Sequence, residues 1–167
     1  MRLNVPNVLT SARIVITPFV YYAGIARERE LFLLLFALGG LTDALDGFFA
    51  RFLQLKSDMG SLFDTIADLL FYPTGLMIYF FAPAVITENW KLLAGVIGIF
   101  LAGVFVAWLR GNLYLPHLLS AKMVGIFMYV FILYTLLVEF SQPLFYVMVA
   151  VGAWAAIEQF VVGWRGK

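Results

Sequence analysis

Residues 43–68 read DALDGFFARFLQLKSDMGSLFDTIAD, and within this stretch stand Asp43, Asp46, Asp64 and Asp68, four of the chain's ten acidic residues. On an α-helix, positions i, i+3, i+4 and i+7 share one face. Asp43, Asp46, Gly47 and Ala50 have that spacing, and Gly60, Asp64 and Asp68 follow each other by fours. Two helices each therefore carry a stripe of carboxylates beside residues with almost no side chain. The nine residues between them, "RFLQLKSDM" (51–59), supply the turn. Facing each other across it, the stripes form a four-carboxylate cup.

The surroundings make such a cup expensive. The 167 residues are 63% hydrophobic and 13% charged, with a mean hydropathy of +0.96, whereas a soluble domain carries about a quarter charged residues. The class is an all-α integral membrane protein. Six windows of the length a span requires lie at 8–26, 31–50, 60–82, 91–110, 118–139 and 143–164, and strand-like alternation is absent. One bundle over 1–167 forms a single domain, without internal repeats. The first window contains Arg13 and Pro18 and no small-residue cleavage site, so it reads as a retained helix rather than a signal peptide. With six spans, Arg2, Arg13, Arg51, Lys56, Arg110, Lys122, Arg165 and Lys167 fall on one side, against Arg27, Arg29 and Lys91 on the other. The positive-inside rule then puts both termini, and the cup, on the cytoplasmic side. A net charge of +1 without basic clusters argues against nucleic acid as a partner, and the absence of cysteine excludes thiolate metal sites.

A carboxylate in the middle of a membrane costs about 3 kcal/mol on insertion scales, and like charges this close cannot all remain ionised without neutralisation. Hard divalent cations neutralise oxygen ligands best, which points to Mg²⁺, Mn²⁺ or Ca²⁺, with one or two ions held by Asp43, Asp46, Asp64 and Asp68. Gly47, Ala50 and Gly60 leave room for a bulky ligand near the backbone, and the planar fork of Arg51 suits a phosphate. A cation pathway and a purely structural use of the acids are the competing classes. Against the pathway, the acids sit at one edge and the chain shows no repeated, broken helices.

The pattern D-x2-D-G-x2-A-R-x8-G-x3-D-x3-D resembles that of the CDP-alcohol phosphotransferases at every fixed position: Asp43, Asp46, Gly47, Ala50, Arg51, Gly60, Asp64 and Asp68. The opening VPNVLTSAR, with Pro6, Asn7, Leu9, Thr10 and Arg13, is similar to the start common in that family. The resemblance implies transfer of a phosphatidyl group from a CDP-linked lipid of the CDP-diacylglycerol type to a small alcohol, with release of CMP, in phospholipid synthesis. It narrows the ions to Mg²⁺ or Mn²⁺, and implies Asp68 as the base that takes the acceptor's proton and Gly47, Ala50, Arg51 and Gly60 as the lining of the CDP pocket. Asn7 and Thr10 become nucleotide contacts. It further implies a homodimer in a prokaryotic cytoplasmic membrane. For the acceptor, Arg110 and Lys122 are the cations that suit a phosphate, which favours a polyol phosphate such as glycerol 3-phosphate, with inositol phosphate or another alcohol as alternatives. Of the G-K-x-K-T-x-x-Q run that glycerol-phosphate-using relatives carry, the stretch LPHLLSAKMVG keeps Lys122 alone.

Overall fold

A computed structural model describes residues 5–52, 58–110 and 119–165 and is helical throughout, with no strand among the described residues. Its elements are α1 (Val5–Ile25), α2 (Arg29–Phe52), α3 (Asp58–Phe71), a 3₁₀ segment (Tyr72–Phe80), α4 (Ala84–Thr87), α5 (Trp90–Leu109), α6 (Leu119–Leu137) and α7 (Gln142–Arg165). Four stretches are long and apolar enough to cross a membrane: Pro6–Ile25, Arg29–Phe49, Trp90–Leu109 and Gln142–Trp164. Met123–Leu137 is a shorter apolar helix. Large apolar side chains such as Phe19, Leu34, Leu101, Phe105 and Trp154 are exposed along these helices, the outer face expected of segments solvated by lipid rather than water.

The window 60–82 is helical without being one α-helix. Proline has no N–H to donate and its ring clashes with the carbonyl four residues back. Pro73 accordingly lies at the point where α3 gives way to the tighter 3₁₀ winding, and the Thr74 hydroxyl donates to the Phe71 carbonyl at 2.6 Å. Pro18, by contrast, is carried inside α1 without interrupting it. The segment APAVITEN (82–89) between two of the windows contains the single turn of α4.

By its contacts the chain falls into two compact units, Met1–Phe81 and Ala82–Lys167. In the first, α1 and α2 form an antiparallel hairpin and α3 packs on α1. One seam of α1 is buried from end to end: Pro6, Thr10, Arg13, Thr17, Val20 and Gly24, alternating steps of four and three. Phe32, Phe36, Gly39 and Asp46 form the buried line of α2, with Asp43 half-buried beside it. Each seam changes from polar to apolar along its length. The apolar half closes through ring contacts, Phe32 with Phe36 and Phe36 with Phe71 at 5.5 Å, and Phe32 with Phe81 at 5.1 Å. That cluster leaves the polar residues together at the other end of the same unit.

The α1–α2 turn shows the bonding of a Schellman cap, with the Glu28 amide donating to the Ala23 carbonyl (2.9 Å) and the Arg27 amide to that of Gly24 (3.1 Å). Arg27 occupies the left-handed position at φ 59°, normally a glycine's place. Replacing it with glycine removes a strain of about 1 kcal/mol. Arg27→Gly is therefore expected to raise the thermal midpoint of the purified protein slightly; a lowered midpoint would mean that the Arg27 side chain holds the turn.

In the second unit α7 packs on both α5 and α6. A Cβ on Gly103 would meet the Phe160 backbone at 2.9 Å, and one on Gly163 would meet the Gly103 carbonyl at 2.9 Å and the Ala107 Cβ at 3.2 Å. Gly103 thus serves the close packing of α5 against α7, whereas Gly95 and Gly98 on the same helix face open space. Phe131 and Phe145 are buried in contact at 5.9 Å, and the Gln142 side-chain amide donates to the Asn89 Oδ1 at 3.0 Å.

Candidate metal centre

The polar end of the first unit is built by three helices. α2 brings Asp43 and Asp46, α3 brings Asp64 and Asp68, and α1 brings Thr10 and Arg13. Asp43, Asp64 and Asp68 each offer a carboxylate oxygen, and these oxygens lie within 4.8 Å of one another. The side chains of this trio remain partly accessible, at 38, 43 and 27%, while Asp46 is enclosed at 5%. Something arriving from outside can therefore reach the trio, and Asp46 stands behind it. The Thr10 hydroxyl, itself buried, offers its proton to Asp46 Oδ2 (3.2 Å) and to the Pro6 carbonyl (3.0 Å).

Arg13 is the residue whose role the sequence reading missed. Counted there among the cytoplasmic-side charges, it is in fact completely buried and held by all four carboxylates. One terminal nitrogen, Nη1, lies 3.0 Å from Asp43 Oδ1 and 3.3 Å from Asp64 Oδ1 and also donates to Asp68; the other, Nη2, donates to Asp46. The physical reason is the one that made the acids conspicuous: an ionised group inside an apolar span needs an opposite charge. That signal was present in the sequence, since Arg13 sits within the first apolar window. Removing Arg13 from the topology count leaves seven basic residues against three.

The remaining predicted residues are placed as follows. Gly47 and Gly60 are half-buried on α2 and α3. Asn7 is half-buried one turn before Thr10, and its carbonyl accepts from the Ser11 hydroxyl at 2.8 Å. Ala50 and Arg51 continue α2 on the helical register set by Asp43 and Asp46, but their side chains, like that of Lys122 on α6, lie outside the described residues. Arg110 belongs to the second unit, where it caps α5, donates to the Trp164 carbonyl and lies 4.5 Å over the Trp164 ring.

The donor set fits a hard divalent cation: three accessible carboxylates converge with oxygen atoms alone, from two helices that both pack on α1. Nitrogen and sulfur ligands, which would favour zinc, are absent among the described residues of the cluster.

The family model for CDP-alcohol phosphatidyltransferase matches residues 3–159. Among individual proteins, the chain is 43% identical over 70 residues to a CDP-diacylglycerol–glycerol-3-phosphate 3-phosphatidyltransferase of Rickettsia typhi, covering 40% of this chain and 39% of that one. It is 37% identical over 79 residues to the protein of the same name from Aquifex aeolicus, covering 47% and 44%. Over 66 residues it is 43% identical to the human cardiolipin synthase (CMP-forming), covering 39% and 22%. In these matches the chain spans less than half the length of the curated relatives. No solved structure matches. The family match runs through both helical units and includes the whole acidic cluster, so the chain belongs to the CDP-alcohol phosphatidyltransferase family.

Proposed function

We propose that this chain transfers a phosphatidyl group from a CDP-linked lipid of the CDP-diacylglycerol type to a small alcohol, releasing CMP, with Mg²⁺ or Mn²⁺ held by the aspartate quartet. The observation that carries this reading is the convergence of Asp43, Asp64 and Asp68 within 4.8 Å, in a stretch covered by the family match. When bound, the ion supplies positive charge against the donor's diphosphate.

The chain's own residues do the rest. Asp43, Asp46, Asp64 and Asp68 hold the cation, and Gly47, Ala50 and Gly60 leave space beside it for the nucleotide. Arg51 pairs with the diphosphate, and Asn7 and Thr10 flank the cytidine side from α1. Asp68 accepts the proton of the acceptor hydroxyl as that hydroxyl's oxygen attacks the lipid-bearing phosphorus. The bond from that phosphorus to the CMP oxygen breaks, and CMP departs with the electron pair. An alcohol is a poor nucleophile at neutral pH, so a positioned base is worth about 10²–10⁴-fold in rate.

We take the acceptor to be a polyol phosphate such as glycerol 3-phosphate, held by Arg110 and Lys122; the names of the Rickettsia and Aquifex relatives support this. Inositol phosphate is the second reading, since the basic run of glycerol-phosphate users is reduced here to Lys122. The chain acts as one domain and as a homodimer. It spans the membrane six times, α3 together with its 3₁₀ continuation forming the third span, both termini cytoplasmic and the cup open to the cytoplasm of a prokaryotic cell.

The test is an assay of purified protein with CDP-diacylglycerol and Mg²⁺ or Mn²⁺ against glycerol 3-phosphate, inositol phosphate, inositol, serine, choline and ethanolamine. CMP formation should require the metal and rise with one phosphorylated polyol above the others. Absence of stimulation by any acceptor would contradict the catalytic reading.

A further inference from the structure

Arg13 has no step in the chemistry above, yet it is the largest completely buried side chain among the described residues, and its partners are the quartet itself. Its Nη1 lies at the focus of the same three carboxylates that could hold a cation, 3.0 Å from Asp43 Oδ1, 3.3 Å from Asp64 Oδ1, and hydrogen-bonded to Asp68. A magnesium-sized ion binds its oxygens at about 2.1 Å. Placed among these carboxylates, it would overlap the guanidinium. The two cannot hold the trio together.

The seat is also incomplete for the arginine. A guanidinium has five N–H donors in a fixed plane. Here the Nε is buried without a hydrogen-bond partner, although both terminal nitrogens are engaged. A buried donor left unpaired opposes burial. The group is held by charge rather than by full satisfaction of its donors, which is the condition under which a competing cation can displace it.

We infer that Arg13 is an exchangeable internal counter-ion: it neutralises the quartet by direct competition with the divalent cation, and ion entry requires its withdrawal from Asp43, Asp64 and Asp68. This rests on the quartet being a metal site, and it assigns to α1 control over how tightly that site holds its ion. With its positive charge at ion-pairing distance from the ligands, Arg13 weakens metal binding while supporting the metal-free fold.

The probe is Mn²⁺ alone, titrated into wild type, Arg13→Gln and Arg13→Lys in detergent and followed by the electron paramagnetic resonance signal of free Mn²⁺. Thermal unfolding is recorded in parallel with chelator and with Mn²⁺. Arg13→Gln is expected to bind Mn²⁺ about tenfold more tightly or better, because a unit charge near the ligands is removed. It should also melt below wild type in chelator and recover in Mn²⁺. Arg13→Lys keeps the charge and should stay close to wild type in affinity. To remove any dependence on folding without metal, Arg13→Gln is also prepared in Mn²⁺ throughout and stripped by competition, where it should release the ion at higher chelator concentration than wild type. If wild type binds Mn²⁺ and Arg13→Gln binds it equally or less tightly, the counter-ion role is wrong and the metal site stands. If neither protein binds Mn²⁺, both readings fall.

Discussion

Asp68→Asn is expected to reduce CMP-forming transfer by at least about 10³-fold, the product of losing a positioned base and weakening a charged ligand. Asn keeps the size and one acceptor oxygen of Asp, so the α3 backbone and its packing against α1 should persist, as helical circular dichroism would report. The comparison with Asp64→Asn separates the two roles assigned to the cluster. Asp64 is the most accessible member of the trio, at 43%, and its proposed work is ligation alone. Raising Mn²⁺ should therefore recover much of the activity of Asp64→Asn and little of that of Asp68→Asn, since added ion cannot replace a proton acceptor. Identical recovery in both variants would remove Asp68 from the base position. Activity near wild type in either would remove the cluster from the reaction.

Gly103→Val should be the most damaging single change outside the acidic cluster, lowering stability by about 3 kcal/mol. Added carbon at this position meets backbone, the Phe160 Cα at 2.9 Å and N at 3.0 Å, and backbone in a helix has no rotamer by which to retreat. The α5–α7 contact must open, and the approach of Gly163 to the Gly103 carbonyl and Ala107 is lost with it. Between helices in lipid no hydrophobic effect compensates, because the lipid tails are as apolar as the side chains; close packing is what holds the pair. Gly95→Val on the same helix is the control, for nothing lies within 4 Å of its added Cβ. A thermal midpoint several degrees lower for Gly103→Val alone is the expected result. Equal losses at both positions would show that the helical cost of valine, rather than the α5–α7 contact, sets the effect.

Asp68 and Gly103 differ in how far they could be read in advance. The helices themselves were legible, because a chain this apolar has few ways to satisfy its backbone in lipid, and the observed α2, α5 and α7 begin and end within two residues of the windows read from hydropathy. The carboxylate stripes were legible for the same reason: steps of three and four in a helical segment leave one geometry. Gly103 is one small residue among many in an apolar window, whose spacing does not say what it packs on, and only the fold sets it against Phe160.

Local spacing determined the kind of protein, the α-helical winding of the two segments that carry the acids, and which acids share a face on each. What the tertiary structure alone decided is what those acids meet. Arg13 lies 33 residues from Asp46 and 55 from Asp68 along the chain, and periodicity within one helix carries no information about a partner on another. Packing of α2 and α3 on α1, with Phe36 in ring contact with Phe71, carries a buried guanidinium into the centre of the carboxylates.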